Sequence, residues 1–449
     1  MRFIPLTPSD RQEMLEVIGV SSVDDLFEDI PSNVRLTGLL DLPGPMAEPA
    51  LLEHFESLAS RNNHFRAHKC FLGAGAYAHH VPSSVDQLIM RSELFTAYTP
   101  YQPEVSQGTL MAIYEFQTYV AALFGTDIAN ASMYDGASSL AEAVIMAQRI
   151  TKRKKTVISN LVHPNWREVT KSYTRYSGAI IEIADGQKEG VTTAQSLAAM
   201  VNEETASVVI QHPNFFGNIE DLKAIREVCD EAGAMMIAAV AEPMALGLLE
   251  GPGKLGADIV VGEGRSFGNS ISYGGPALGL FSTKDKFARQ MPGRLVGKTR
   301  DVDGKEGYVL TLSTREQHIR RERATSNICS NQALCATAAA IHLSLLGKTG
   351  LKKIGIRNLS AMKYLIEKVS GLKGFEKAFG QKHFNEAVAL TPVAPAVINE
   401  RLAREGIVGG LDLSGYYPTM APAILFCATE IHSKEDIDRM VKILSEFES

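Results

Sequence analysis

Between residues 127 and 283 the chain alternates short apolar runs with longer amphipathic stretches, and this alternation constrains the fold more than any other feature. Apolar runs at 156–159, 179–183, 208–211, 235–240, 258–261 and 278–281 have the length of strands. Stretches at 138–150, 166–173, 193–201 and 221–232 carry helical spacing and lie between most of them. Strands apolar on both faces must be covered on both faces. The pattern therefore predicts an α/β domain with a doubly wound, mainly parallel sheet.

The flanks read differently. A helix is predicted over 106–124, where Leu110, Ile113, Phe116, Val120 and Leu123 recur at steps of three and four. Upstream, 70–104 is rich in Gly, Pro, Tyr and His and reads as structured loop, not helix. Residues 1–69 are assigned to an N-terminal arm. Ser9 is expected to cap a helix carrying Met14, Leu15 and Ile18, with a second short helix at 23–27 ending at Pro31. An arm of this size cannot bury its own apolar face, so it is expected to pack on the main body or on another chain. Residues 284–330 look polar and irregular. Beyond them a small α+β domain is predicted, with helices at 331–346 and 349–370, strands at 387–390 and 424–428, and a last helix opened by Ser433 with Asp436 at capping-box spacing. The expected domains are thus 1–69, 70–325 and 326–449.

Composition narrows the class. A chain of 449 residues is too long for one ordinary core and suits a large domain plus a smaller one. With 45% apolar and 21% charged residues it has the balance of a soluble globular protein. Its net charge of −6 gives no reason to expect nucleic acid or an anionic membrane as partner. No apolar run approaches a membrane span, and the first twenty residues lack the order of a secretory signal. Cys70, Cys229, Cys329, Cys335 and Cys427 are scattered and odd in number, with no CxxC pair, so neither a metal site nor a disulfide framework is indicated. Cys329 and Cys335, six apart in a helical-looking stretch, fall on different faces. A reducing, cytoplasmic setting is the simplest expectation.

Five stretches carry residues suited to chemistry. In 132-SMYDGASSLAEAV-144 a Gly-Ala-Ser-Ser turn enters a helix; Gly136 and Ser138 there suit either an anion site or plain N-capping by Ser138 or Asp135. In 161-LVHPNWREV-169, His163 sits between strand and helix, placed either to stack on a ring or as an ordinary loop histidine. The loop 98-YTPYQPE-104 sets two phenols, an amide and a carboxylate on a proline-stiffened backbone, for shaping a site or as a local tyrosine corner. In 315-REQHIRRERATSN-327 most of the four arginines read as surface charge, interleaved as they are with Glu316 and Glu322. Arg323, Thr325, Ser326 and Asn327 stand apart because they end the loop and open the small domain. Lastly, 257–283 reads as strand, tight turn, strand. In pyridoxal-phosphate (PLP) enzymes of the aspartate-aminotransferase fold (fold type I), such a turn presents the Schiff-base lysine. Here the turn has Arg265, Ser266 and Phe267. The aspartate that would pair with the pyridine nitrogen is also missing from 235–249, where the only acid is Glu242.

FLGAGAY (71–77), TAYTPYQPEVSQGTL (96–110), NASMYDGAS (130–138), PNFFG (213–217), SYGGPALG (272–279) and GYVLTLSTREQHIRRERATSNICSNQAL (307–334) together resemble one family. It is the glycine decarboxylase P-protein of the glycine cleavage system, specifically its N-terminal half, a separate subunit 1 in many prokaryotes. The 264-GRSFGNS-270 turn and Ala78 before His79-His80 depart from the usual pattern.

The resemblance implies an oxidoreductase subunit without the PLP lysine, active only with a subunit 2 that carries lysine and cofactor, in an α2β2 heterotetramer. Together they would decarboxylate glycine, release CO2 and pass the aminomethyl group to the lipoyl arm of H-protein. By the same resemblance this chain would lend Tyr98, Thr99, Tyr101, Gln102, Glu104, Arg323, Thr325, Ser326 and Asn327 to its partner's site. Gly136, Ser138 and His163 would remain as a vestigial pocket, with Ser266 in the lysine's place. Two alternatives stand beside this: a self-sufficient PLP enzyme using an unusual lysine such as Lys254, and a scaffold or regulatory subunit without catalytic contribution.

Overall fold

The computed structural model describes residues 5–36, 38–64, 68–328, 330–420 and 422–448; Cys329 and the comparison of its face with that of Cys335 lie outside the described residues. The chain divides into two compact units, one ending at Asn63 and one running from His64 to Ser449.

The first unit holds the helix Pro8–Ile18, a short 3₁₀ turn at Val23–Phe27 and the helix Glu48–Ala59. The first helix is capped by Thr7 rather than Ser9, because Asp10 completes a reciprocal capping box with Thr7. None of the unit's described residues is buried, and Leu39 stands almost free of cover.

The second unit is built on a seven-stranded sheet. Its order is Ile128–Ala129, Gly279–Thr283, Ile259–Glu263, Met235–Val240, Thr205–Gln211, Lys155–Ser159, Ile180–Ala184. The last five are mutually parallel; the first two join antiparallel at one edge. The expected α/β architecture holds, and every predicted strand of this region is present within a few residues. Met235–Val240 and Ile259–Glu263 are buried along their whole length, which is why their sequences show no alternation. The helices Gln107–Phe124, Gly136–Thr151, Pro164–Thr174 and Leu222–Ala232 cover the faces.

Two stretches differ from expectation. Within 284–330 lies an antiparallel hairpin, Leu295–Arg300 with Glu306–Thr311. Its mixed sequence hid it, since half of one strand and the turn face water. Gln117 fixes it to the helix below by exchanging two hydrogen bonds with the Val296 backbone, 2.9 and 3.0 Å. Within 70–104 two short helices, Ser83–Ile89 and Ser92–Phe95, replace the expected loop.

A four-stranded antiparallel sheet made by Glu376–Lys377, Glu386–Leu390, Ala423–Cys427 and Leu411–Asp412 completes the unit. The expected pair of helices at 331–370 is present as a kinked helix, Ala333–Ser370, whose two parts meet at Gly347, non-helical and at positive φ (55°). This helix is long and apolar enough to cross a bilayer by composition. Its alanine-rich first half instead packs in the core with Val120, Phe124, Met244 and Phe267. The last helix, Lys434–Leu444, has the predicted Ser433–Asp436 box.

Candidate functional site

Two places gather the residues singled out by sequence. The first lies at the carboxyl ends of the parallel strands, where doubly wound sheets bind ligands. Asp135 and Ser138 form a capping box on the helix Gly136–Thr151, so the capping reading of that turn is the observed one. The remaining free end of the helix meets a carboxylate from the chain itself. Glu263 accepts from the backbone N–H of Gly136 at 3.2 Å, Arg265 at 3.1 Å and Leu278 at 2.9 Å. Burial pushes its carboxyl upward against these three amides. The Trp166 ring seats directly on Gly136, where a Cβ would fall 2.3 Å from it. Trp166 in turn stacks on His163 (centroids 6.0 Å apart).

His163 caps the helix Pro164–Thr174. Its Nδ1 accepts from Asn165 N–H, so Nε2–H donates to the Ala74 carbonyl at 3.0 Å. Burial lowers its pKa, which keeps the imidazole neutral. Ser266 donates to Glu242 at 3.1 Å, and the same Glu242 oxygen lies 2.9 Å from His79 Nε2. The other His79 nitrogen is 2.8 Å from Glu430. Burial alone would lower the pKa of His79; the two carboxylates outweigh it and raise it to about 10, making a buried imidazolium. Glu386, pushed to about 8 by burial and by the charge of Glu242, accepts from Tyr77 and from Ala74 N–H. Lys254 is exposed beside Gly125, before the strand Ile259–Glu263, whereas Ser266 follows that strand's other end.

The second place is on the surface. Tyr98, Tyr101, Gln102 and Glu104 are exposed and Thr99 is half-buried. The guanidinium of Arg294 reaches Thr99 Oγ1 at 3.2 Å and the Tyr101 hydroxyl at 3.0 Å, and lies over the Tyr101 ring. Its Nε faces Glu316 at 3.8 Å. From that same loop Gln317 donates to Asn327 at 3.2 Å. Thr325 and Ser326 are half-buried and held from behind, Thr325 by Arg149 at its carbonyl (2.8 Å) and Ser326 by the buried Glu142. Tyr101, Arg294, Glu316, Gln317, His318 and Ile328 enclose a cavity of about 290 Å³. A roomier cavity of about 600 Å³, walled by Leu248, Leu359, Ile366 and Phe384, contains none of the residues singled out. Arg323 points to solvent beside Glu322. Arg315, expected at the surface with its neighbours, is buried and bonds the Met291 and Gly293 carbonyls.

The glycine cleavage system P-protein model matches residues 1–444. The chain belongs to the glycine cleavage system P-protein family. Two bacterial relatives are named "Probable glycine dehydrogenase (decarboxylating) subunit 1". One, from Desulforamulus reducens, is 50% identical over 98% of each chain. The other, from Desulfitobacterium hafniense, is 50% identical over 99% of this chain and all of its own. A crystal structure of glycine decarboxylase (P-protein) in inhibitor-bound form superposes with a TM-score of 0.88 at 41% identity, covering both chains fully. A sphingosine-1-phosphate lyase of Burkholderia pseudomallei shares the fold at TM-score 0.65 and 16% identity.

Within this P-protein chain the residue that joins the two loops is Arg294, which the sequence did not single out. It lies in 292-PGR-294 at the start of a strand, among 45 Lys and Arg residues, and nothing in its neighbours marks it. Glu263 was equally invisible: a lone acid at a strand end has many ordinary uses.

Proposed function

We propose that this chain is the cofactor-free subunit of the glycine decarboxylase of the glycine cleavage system, and that it builds one wall of an active site whose PLP is held by a second subunit. The observation that carries this is Glu263. A cofactor phosphate would need the amino end of the helix Gly136–Thr151, and a carboxylate already accepts there. A phosphate brought beside it would meet like charge in a buried space. Ser266 in the lysine's place, tied to Glu242, and Trp166 seated on Gly136 point the same way. The residues of this chain do not fit PLP. Exposed Lys254 at the wrong end of its strand gives no support to a self-sufficient enzyme.

The proposed reaction is that of the family: glycine loses CO2 and its aminomethyl group passes to the lipoyl arm of H-protein, with the two chains paired as an α2β2 assembly in the cytoplasm. Every covalent step belongs to the partner's side. This chain supplies polar groups and exclusion of water. Tyr98, Thr99, Tyr101, Gln102 and Glu104 form one lip, and Arg323, Thr325, Ser326 and Asn327 the other. Hydroxyl and amide groups held by a packed frame need no reorganisation when a charged substrate arrives. The exposure of Tyr98, Tyr101, Gln102, Glu104, Arg323 and Asn327 suits a surface that another chain completes.

Two measurements test this. In the reconstituted two-chain enzyme with lipoylated H-protein, Tyr101→Phe and Asn327→Ala are each expected to lower glycine decarboxylation by roughly tenfold or more, the loss of one hydrogen bond involving a charged or preorganised partner. Full activity in both, and in Tyr98→Phe, would leave only the scaffold reading. Separately, borohydride reduction of the PLP-loaded complex, followed by peptide mapping, should fix cofactor on the partner alone. Label on any lysine of this chain, Lys254 included, would refute the division of labour.

A further inference from the structure

Arg294 links the two loops, and its surroundings say how. Its backbone is pinned on both sides. The Arg294 carbonyl accepts from Ala131 N–H at 2.8 Å, and the preceding Gly293 carbonyl accepts from buried Arg315 at 3.0 Å. Its side chain is 7% exposed, yet two of its three nitrogens bond hydroxyls of a loop that is largely open to solvent. The third, Nε, is buried without a hydrogen bond, with the Glu316 carboxylate at 3.8 Å.

A guanidinium only donates. Thr99 Oγ1 and Tyr101 Oη must therefore accept from it, and each keeps its own proton free for another acceptor. A hydroxyl that accepts from a cation is also polarised into a stronger donor. The planar fork spans both hydroxyls at once; a lysine ammonium is a point charge without that fixed geometry.

We infer that Arg294 is a positioning residue: it holds Thr99 and Tyr101 as paired hydrogen-bond donors aimed at an acceptor group, a carboxylate or amide oxygen, entering beside the cavity that Tyr101 and Arg294 border with Glu316 and Gln317. This rests on the site reading given above and names the residue on which its first lip depends.

The test uses the assembled two-chain enzyme. Arg294→Lys keeps the charge and removes the fork. It is expected to lower kcat/KM for glycine by at least about tenfold, with an unchanged melting temperature, the loss of hydrogen bonds to a charged group. Combined with Tyr101→Phe it should be no worse than the more damaging single variant, because both break one arrangement. The double variant Thr99→Val with Tyr101→Phe, which leaves Arg294 in place, should reproduce the Arg294→Lys loss even if Arg294 variants fold poorly. Multiplicative losses in the combined variant, or full activity of Arg294→Lys alongside impaired Tyr101→Phe and Asn327→Ala, would overturn the inference and leave the site reading standing. Full activity of Tyr101→Phe and Asn327→Ala would overturn both.

Discussion

Replacing His79 with alanine is expected to destabilise the fold by roughly 3–5 kcal/mol, the usual cost of removing one partner from a buried ion pair. His79 is the cation between two acids, Glu242 and Glu430, all of them buried. Without it Glu242 keeps the Ser266 hydroxyl and Met244 N–H as partners, and Glu430 keeps His80 N–H.

The pH dependence has a definite sign. The folded pKa of His79 is raised from 6.5 to about 10, so its contribution is complete below about pH 6.5 and is lost as pH rises through 10. Glu430 is lowered by His79 despite its burial, so its share is present above the ordinary carboxylate range and is lost as pH falls through its folded value. Urea melts of wild type and His79→Ala should therefore converge between about pH 8 and pH 10. A gap that stays constant across that interval would show that His79 acts by packing alone.

Gly217→Ala is expected to cost about 2–5 kcal/mol, combining left-handed strain with overpacking against backbone that cannot yield. Gly217 sits at φ +80°, and a Cβ there would fall 2.1 Å from the Glu386 carbonyl oxygen. Its own carbonyl accepts from Phe384 N–H at 3.1 Å, so the turn 213-PNFFG-217 is the seat on which the small antiparallel sheet rests. Gly178 is the control: φ is +73°, but nothing lies within 4 Å of its Cβ position, so Gly178→Ala should show the conformational cost alone, about 1–2 kcal/mol. Equal losses in thermal melts of the two variants would remove the close-approach argument.

How far sequence carried depended on where water stood. Strands buried along their whole length, such as 235-MMIAAV-240, are legible because burial on both faces leaves an unbroken apolar run. The Ser433 box is legible because its bonds span three residues. The hairpin Leu295–Thr311 was not, since one strand runs from buried Leu295 to exposed Arg300 and mixes its signals. Thr7 outcompeted Ser9 as a cap through an acid three residues on, a contest between neighbours that residue type alone does not decide.

The sequence by itself determined the α/β class and the family, and drew attention to the two loops proposed as the site, because those rest on local pattern and on long motifs. It also determined that no lysine follows the strand ending at Glu263. Only the tertiary structure decided what fills the place. Glu263 reaches a helix end 127 residues earlier, and His79 meets Glu242 and Glu430 from 163 and 351 residues away. Arg294 crosses 193 residues to hold Tyr101. Such contacts are matters of chain path and exclusion of water. A glutamate or arginine becomes an anchor only when its surroundings are dry and its partner is fixed, and no single stretch of sequence specifies either condition.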